Sequence, residues 1–378
     1  MLLLLIQRLT HFEPKLNALS YLSSRAILAL MTSIVISLVL YPPLIRRLRA
    51  LKLGQPIREL GPATHFEKKG TPTMGGVVII FATLLSAFLW MDINNHHLWT
   101  LTLVTITFGC VGFVDDYMKI SKKNPKGLAS RYKYLGLSIG ACIALAWHIN
   151  QPVFTDAFAT IWRTATSNQA GQSPLTTVYI PFLKQASLNL GWLYIPFAYF
   201  VLVGSSNAVN LTDGLDGLVI GPVITCSIAL LVLSYVTGNV VVAKYLYYHT
   251  IPGSGEITVF LAALIGSSIG FLWYNAWPAQ VFMGDSGALP LGGILGAVAM
   301  ITGHEILLII MGGVFVVEAL SVIIQVGSFK MRQKRVFRMA PLHHHFEKGG
   351  WPEQKITVRA WIISFMLALL SILSLKLR

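Results

Sequence analysis

Apolar residues run along this chain in stretches of about 20, the length a helix needs to cross roughly 30 Å of hydrocarbon. Ten such stretches are legible, at about 22–45, 75–92, 98–115, 134–149, 192–209, 215–236, 256–274, 287–303, 305–328 and 357–376. No polar stretch between them is long enough to bury a core of its own. The pattern therefore predicts one polytopic, all-α integral membrane domain over residues 1–378, with ten transmembrane helices. The longest interval, 150–191, contains TTVYIPFLKQASLNLG, which reads as a small β-hairpin. The opening MLLLLIQR lacks a basic n-region, so no cleaved leader is expected.

Composition agrees, with 54% hydrophobic and 12% charged residues. Charge then orients the bundle. Residues 46–74 hold seven lysines and arginines, 115–133 hold six and 328–356 hold seven, so 20 of the 29 fall in three loops. With ten alternating spans those loops share one side, which the positive-inside rule makes cytoplasmic, and both termini become periplasmic. The net charge of +14 does not point to nucleic acid, because no soluble domain is present to carry a binding fold. Anionic lipid headgroups and a phosphorylated cytosolic substrate suit these loops better, and topology alone accounts for many of the cations.

Cys110, Cys142 and Cys226 all lie in apolar spans, an odd set expected to be buried packing residues rather than disulfides or a metal cage. The spacings Gly136/Gly140, Gly266/Gly270 and Gly292/Gly296 permit close helix contact, within the bundle or between protomers.

The unusual polar clusters all fall on the side marked cytoplasmic. They are FVDDY (113–117), SSNAVNLTDGLDGL (205–218), WYNAWPAQVFMGDSGAL (273–289) and APLHHHFE (340–347), with HFEKKGTPTMGG (65–76) opening the second span. Acids at a membrane boundary are expensive and so point to function. Asp115, Asp116, Asp213, Asp216 and Asp285 are hard oxygen ligands of the kind Mg²⁺ prefers. Carboxylates, lysines and Mg²⁺ together are the equipment of phosphoryl transfer. Plainer readings stand beside this one. Adjacent acids just past a helix point different ways, so only one need face a site. NLTDGLDGL also reads as a turn followed by an N-cap. Ser286 lacks the G-x-S-x-G setting of a nucleophile. His343, His344 and His345 cannot all reach one ion, and Glu318 and His304 read as paired or interfacial residues.

FVDDY, NAVNLTDGLDGL, NAWPAQVFMGDSGAL and APLHHHFEKGGW, in this order, resemble the phospho-N-acetylmuramoyl-pentapeptide transferases, and the likeness spans essentially the whole chain. NLTDGLDGL and GDSGAL resemble the wider polyprenyl-phosphate hexose-1-phosphate transferase superfamily, whereas HHHFE and GTPTMGG resemble the muramoyl-peptide branch. The resemblance implies a dimeric inner-membrane enzyme that moves phospho-MurNAc-pentapeptide from UDP-MurNAc-pentapeptide to undecaprenyl phosphate, releasing UMP, with Mg²⁺ required. It implies Asp285 as the metal ligand, Asp115 as base or lipid-phosphate positioner, Asp116 as a second polar partner, and His343 on phosphate or sugar. By the same likeness Lys68, Thr73, Lys133, Asn207, Asn210, Asp213, Gly214, Asp216, Asn275 and Phe282 would bind substrate, with Lys126 and Lys133 candidates for the lipid phosphate. Two rivals are an N-acetylglucosamine-1-phosphate transferase, against which the histidine loop argues, and a proton-coupled transporter, whose acids belong near the bilayer midplane.

Overall fold

The computed structural model describes residues 2–9, 13–50, 70–121, 127–149, 176–183 and 186–377. Helices fall on each of the ten predicted stretches. They are α2 (Leu22–Ala50), α3 (Gly76–Trp90), α4 (His96–Ser121), α5 (Ser130–Ile149), α6 (Tyr194–Thr212), α7 (Ile220–Gly238), α9 (Ile257–Asn275), α10 (Asp285–Thr302), the pair α11 (Glu305–Met311) and α12 (Gly313–Arg332), and α14 (Glu353–Leu373). Short helices α1 (Leu2–Leu9), α8 (Val240–Tyr245) and α13 (Leu342–Glu347) complete the α-helices among the described residues. Among the described residues, eight helices are long and apolar enough to cross a membrane, and α3 is apolar but only 15 residues long. The chain is a multi-pass membrane protein.

Three boundaries depart from the expectation. α4 continues to Ser121 rather than ending at 115, so both acids of FVDDY sit inside a helix. The stretch 305–328 is two helices broken at Gly312, where a Gly–Gly pair weakens the ladder. The stretch 215–236 becomes helical only at Ile220, because DGLDG forms a turn with Gly217 at φ +70°. The hairpin is present: β1 (Thr177–Tyr179) pairs antiparallel with β2 (Ser187–Asn189).

α10 is the centre of the bundle, with every residue after Asp285 buried. It packs against α4 and α6, while α9, almost as buried, packs against α2, α3 and α7. α2, α12 and α14 are the least buried of the long apolar helices, and α12 and α14 present apolar side chains such as Ile323 and Met366 outward, as a lipid-facing helix does. The glycine pairs serve contacts inside the chain. A Cβ at Gly266 or Gly270 would strike α2 at Ser33 or Ser37, at Gly292 or Gly296 it would strike α6 at Ser205, and at Gly136 or Gly140 it would strike Val111 or Thr107 of α4. Cys226 is buried as expected, but Cys110 and Cys142 are exposed, because their positions face away from the helix contacts.

Candidate active site

The last two turns of α4 carry Asp115, Asp116 and Lys119 against the N-terminus of α10. Gly112 makes this approach possible, since a Cβ there would overlap the Asp285 carbonyl and the Ser286 nitrogen. Gly112→Val should therefore lower the thermal midpoint in detergent, at a cost of about 1–3 kcal/mol for overpacking, and abolish activity by parting the acids. Gly327→Ala on α12, where a Cβ meets nothing within 4 Å, should leave both unchanged.

One positive charge sits among three negative ones. Lys119 Nζ lies 2.5 Å from Asp115 Oδ2, 3.5 Å from Asp116 Oδ1 and 3.0 Å from Asp285 Oδ2. Lys133, from the first turn of α5, adds a second ammonium at 2.5 Å from Asp285 Oδ2 and 3.8 Å from Asp115 Oδ2. One oxygen from each of Asp115, Asp116 and Asp285 falls within 4.8 Å of the others, a spacing that can hold a metal ion. Asn210, on the last turn of α6, donates to Asp285 Oδ1 at 2.9 Å and accepts from Lys133 at 3.3 Å in the amide orientation that satisfies both neighbours.

The three acids differ in what else they touch. Asp116 is fully buried and accepts from the Asp285 amide at 3.2 Å and the Ser286 amide at 2.9 Å. It thus satisfies the first-turn donors of α10 and meets the positive end of that helix dipole. Asp115 Oδ1 accepts from the Leu128 amide at 2.7 Å, which ties the segment entering α5 to α4. Asp285 is the one residue of α10 that is not buried, so its carboxylate is the open face of the cluster.

Asp213 follows α6 and shares the same field. Burial first, then repulsion from Asp285 and Asp116, pushes its carboxyl up to about 7. The folded chain therefore holds a proton that the unfolded chain releases near the ordinary value of 3.8, and stability falls as pH rises between about 4 and 7. Without divalent cations, Asp213→Asn should flatten that slope in thermal midpoints measured across this range.

Other expected site residues tie the surrounding loops together. Asp216 accepts from the Ala279 amide at 3.0 Å, and Asn275 accepts from the Gly217 amide at 3.0 Å while donating to the Val281 carbonyl at 2.9 Å. Phe282 donates its amide to Pro72 and accepts from Gly75, both at 2.8 Å, so GTPTMGG lies along the segment leading into α10. Thr73 is buried there beside Gly284, its Oγ1 without a hydrogen-bond partner among the described residues. Asn207 lies on α6 one turn before Asn210 and donates to the Val203 carbonyl at 2.8 Å.

The histidine run divides as its spacing requires. His344 pairs with Glu347 at 2.9 Å, and His345 Nδ1 accepts from the Arg338 amide at 3.1 Å. His343 alone is buried toward the site, its ring against Gly214 and its amide donating to Glu318 at 3.1 Å. Glu318 is a paired residue, as expected, and its partner is His343, at 3.2 Å from Nδ1. Lys68 and Lys126 lie outside the described residues. Lys119 was missed by the sequence reading. The available signal was its spacing of three and four residues from the two acids on a helix that continues past them.

Comparison with known proteins bears on this site. Residues 98–303, which include Asp115, Asp116, Asp213 and Asp285, match the family described as glycosyl transferase family 4. Residues 68–80 match the phospho-N-acetylmuramoyl-pentapeptide-transferase signature 1. Over 381 aligned residues, covering 100% of both chains, the sequence is 50% identical to a phospho-N-acetylmuramoyl-pentapeptide-transferase from Thermodesulfovibrio yellowstonii. With its whole length matched and its distant acidic segments gathered at one end of the bundle, the chain belongs to the phospho-N-acetylmuramoyl-pentapeptide-transferase family of enzymes.

Proposed function

We propose that this chain transfers phospho-MurNAc-pentapeptide from UDP-MurNAc-pentapeptide to undecaprenyl phosphate, yielding lipid I and UMP. The site then faces the cytoplasm of a bacterial inner membrane crossed ten times, with both termini periplasmic and the enzyme a homodimer. The observation that carries the reading is the convergence of Asp115, Asp116 and Asp285 on one ammonium, with Asp285 open to incoming anions. A donor set of carboxylate oxygens already arranged around a cation fits Mg²⁺. Asp285, the acid left open, would hold it, because Asp116 is committed to the α10 amides and Asp115 to the Leu128 amide. Once bound, the ion supplies neutralising charge to the diphosphate.

The chain's own residues do the rest. Lys133 and Lys119 stand where phosphate oxygens of either substrate would meet them. Asp115 positions the lipid phosphate, whose oxygen attacks the β-phosphorus of the nucleotide sugar as the bond to UMP breaks. One phosphoanhydride replaces another, so the reaction is reversible. Both Asp115 oxygens are engaged, one by the Leu128 amide and one by Lys119, which favours this direct attack over an aspartyl-phosphate intermediate. Asn210, Asp213, Gly214 and Phe282 would bind the nucleotide, and His343, whose ring lies against Gly214, would meet phosphate or sugar. An apolar cavity of about 340 Å³ between α6 and the α11–α12 pair is lined by Phe197, Val201, Leu295 and Phe315 and reaches Val209, next to Asn210. It suits a polyprenyl tail.

The test is UMP release by purified protein with undecaprenyl phosphate and Mg²⁺. Release from UDP-MurNAc-pentapeptide and not from UDP-GlcNAc supports the proposal, and the reverse preference overturns it. Removing Mg²⁺ with a chelator should stop release, and adding it back should restore it.

A further inference from the structure

A second cluster of side chains occupies the other end of α4. His96 and His97 open that helix and His148 lies in the last turn of α5. One imidazole nitrogen from each falls within 4.8 Å of the other two, and the ring centroids are 3.8, 6.0 and 6.2 Å apart. Along α4, His97 and Asp115 are 18 residues apart, about 27 Å at 1.5 Å per residue. The histidines therefore mark the opposite boundary of the apolar layer from the carboxylates.

The ring of His97 is held in place. Asn95 Oδ1 accepts from the His97 backbone amide at 2.9 Å, and Asn95 Nδ2 donates to the Gly253 carbonyl at 2.9 Å. His97 Nε2 lies 3.1 Å from the Pro252 carbonyl. A carbonyl oxygen only accepts, so Nε2 carries the proton and the lone pair is on Nδ1. Nδ1 is buried, on a residue 2% exposed, and has no hydrogen-bond partner among the described residues. A carbonyl that fixes the tautomer and leaves the other nitrogen its lone pair is how metal-binding histidines are oriented.

We propose that His96, His97 and His148 bind one divalent cation of the zinc class, which clips α4 and α5 together at the boundary remote from the catalytic cluster. Imidazole nitrogens suit Zn²⁺, Cu²⁺ or Ni²⁺ and not Mg²⁺, so the two ends of α4 take different metals. Ligand nitrogens around tetrahedral Zn²⁺ stand about 3.4 Å apart, for Zn–N bonds of about 2.0–2.1 Å. The three nitrogens, within 4.8 Å of one another, would close toward that spacing around a bound ion.

The experiment uses full-length protein purified without a polyhistidine tag, loaded with Zn²⁺, desalted and measured for metal content and thermal midpoint. About one Zn²⁺ per chain should be retained and the midpoint raised, with affinity falling about 10–100-fold in His97→Ala and His148→Ala, as for lost metal ligands or their supports. Asp285→Asn and His344→Ala should retain the ion, which separates this site from the carboxylates and from the run 343–345. Should an alanine variant fail to fold, His97→Gln and His96→Gln serve in its place. Retention unchanged in the histidine variants, or loss confined to Asp285→Asn or His344→Ala, overturns the proposal.

Discussion

Asp285→Asn should reduce the transferase rate by about 10³-fold or more, the scale on which removal of one preorganised charge acts on phosphoryl or acyl transfer. The protein should stay folded, with an unchanged elution volume in detergent. Asparagine has the same size, and the backbone amide of residue 285 still bonds Asp116 whatever side chain it bears. What is lost is the charge on the open face of the cluster, where Lys119, Lys133 and Asn210 all meet one carboxylate. A rate near that of the parent enzyme would remove Asp285 from the metal role. Asp116→Asn, by contrast, should show in thermal stability as well as in rate, because that carboxylate holds the start of α10.

Lys119→Met is expected to give the second large effect, with opposite signs in two measurements. The substitution leaves three carboxylates facing one another with Lys133 as the one remaining ammonium beside them among the described residues. Breaking a buried charge network from one side costs about 3–5 kcal/mol, so without divalent cation the thermal midpoint should fall steeply. Adding Mg²⁺ should recover most of it, and Mg²⁺ should bind more tightly than in the parent, since a competing positive charge has gone. Activity at saturating Mg²⁺ should nevertheless stay about 10²-fold down, because a cation placed on the developing phosphate charge is missing. A variant as stable and as active as the parent would mean that Lys119 is merely a solvated cation.

The helices and the chemical class of the site were legible in the sequence because both rest on local patterns. Apolar run length predicted where helices fall, and the placing of acids at the ends of runs predicted their convergence. The outcome that mattered most, Asp115 and Asp285 sharing a lysine across 166 to 170 positions of sequence, follows from helices packing through Gly112 and could only be anticipated as a hypothesis. Lys119 was overlooked because the apolar run stops at the acids while the helix does not. Hydropathy marks where lipid contact ends, and hydrogen bonding carries α4 six residues further. The structural duties of Asp116, Asp216 and Asn275 were equally invisible, since their partners are backbone amides distant in sequence. His343 was separable from His344 and His345 only by burial, and its pairing with Glu318 joins two residues the sequence reading had placed in different classes.

The pairing of the glycine motifs shows the same limit from the packing side. Their spacing announced close helix contact but not the partner, and every one of the three pairs meets a helix of its own chain. With these surfaces occupied internally, the homodimer proposed above would use other faces, such as the outward apolar sides of α12 and α14.

The most direct test is anomalous diffraction from crystals grown with Mn²⁺ in place of Mg²⁺ and with the uridine nucleotide bound. A manganese peak within ligand distance of the Asp285 carboxylate, with the diphosphate beside Lys133, is the predicted result. Manganese and nucleotide bound away from the carboxylates of Asp115 and Asp285 would contradict the account.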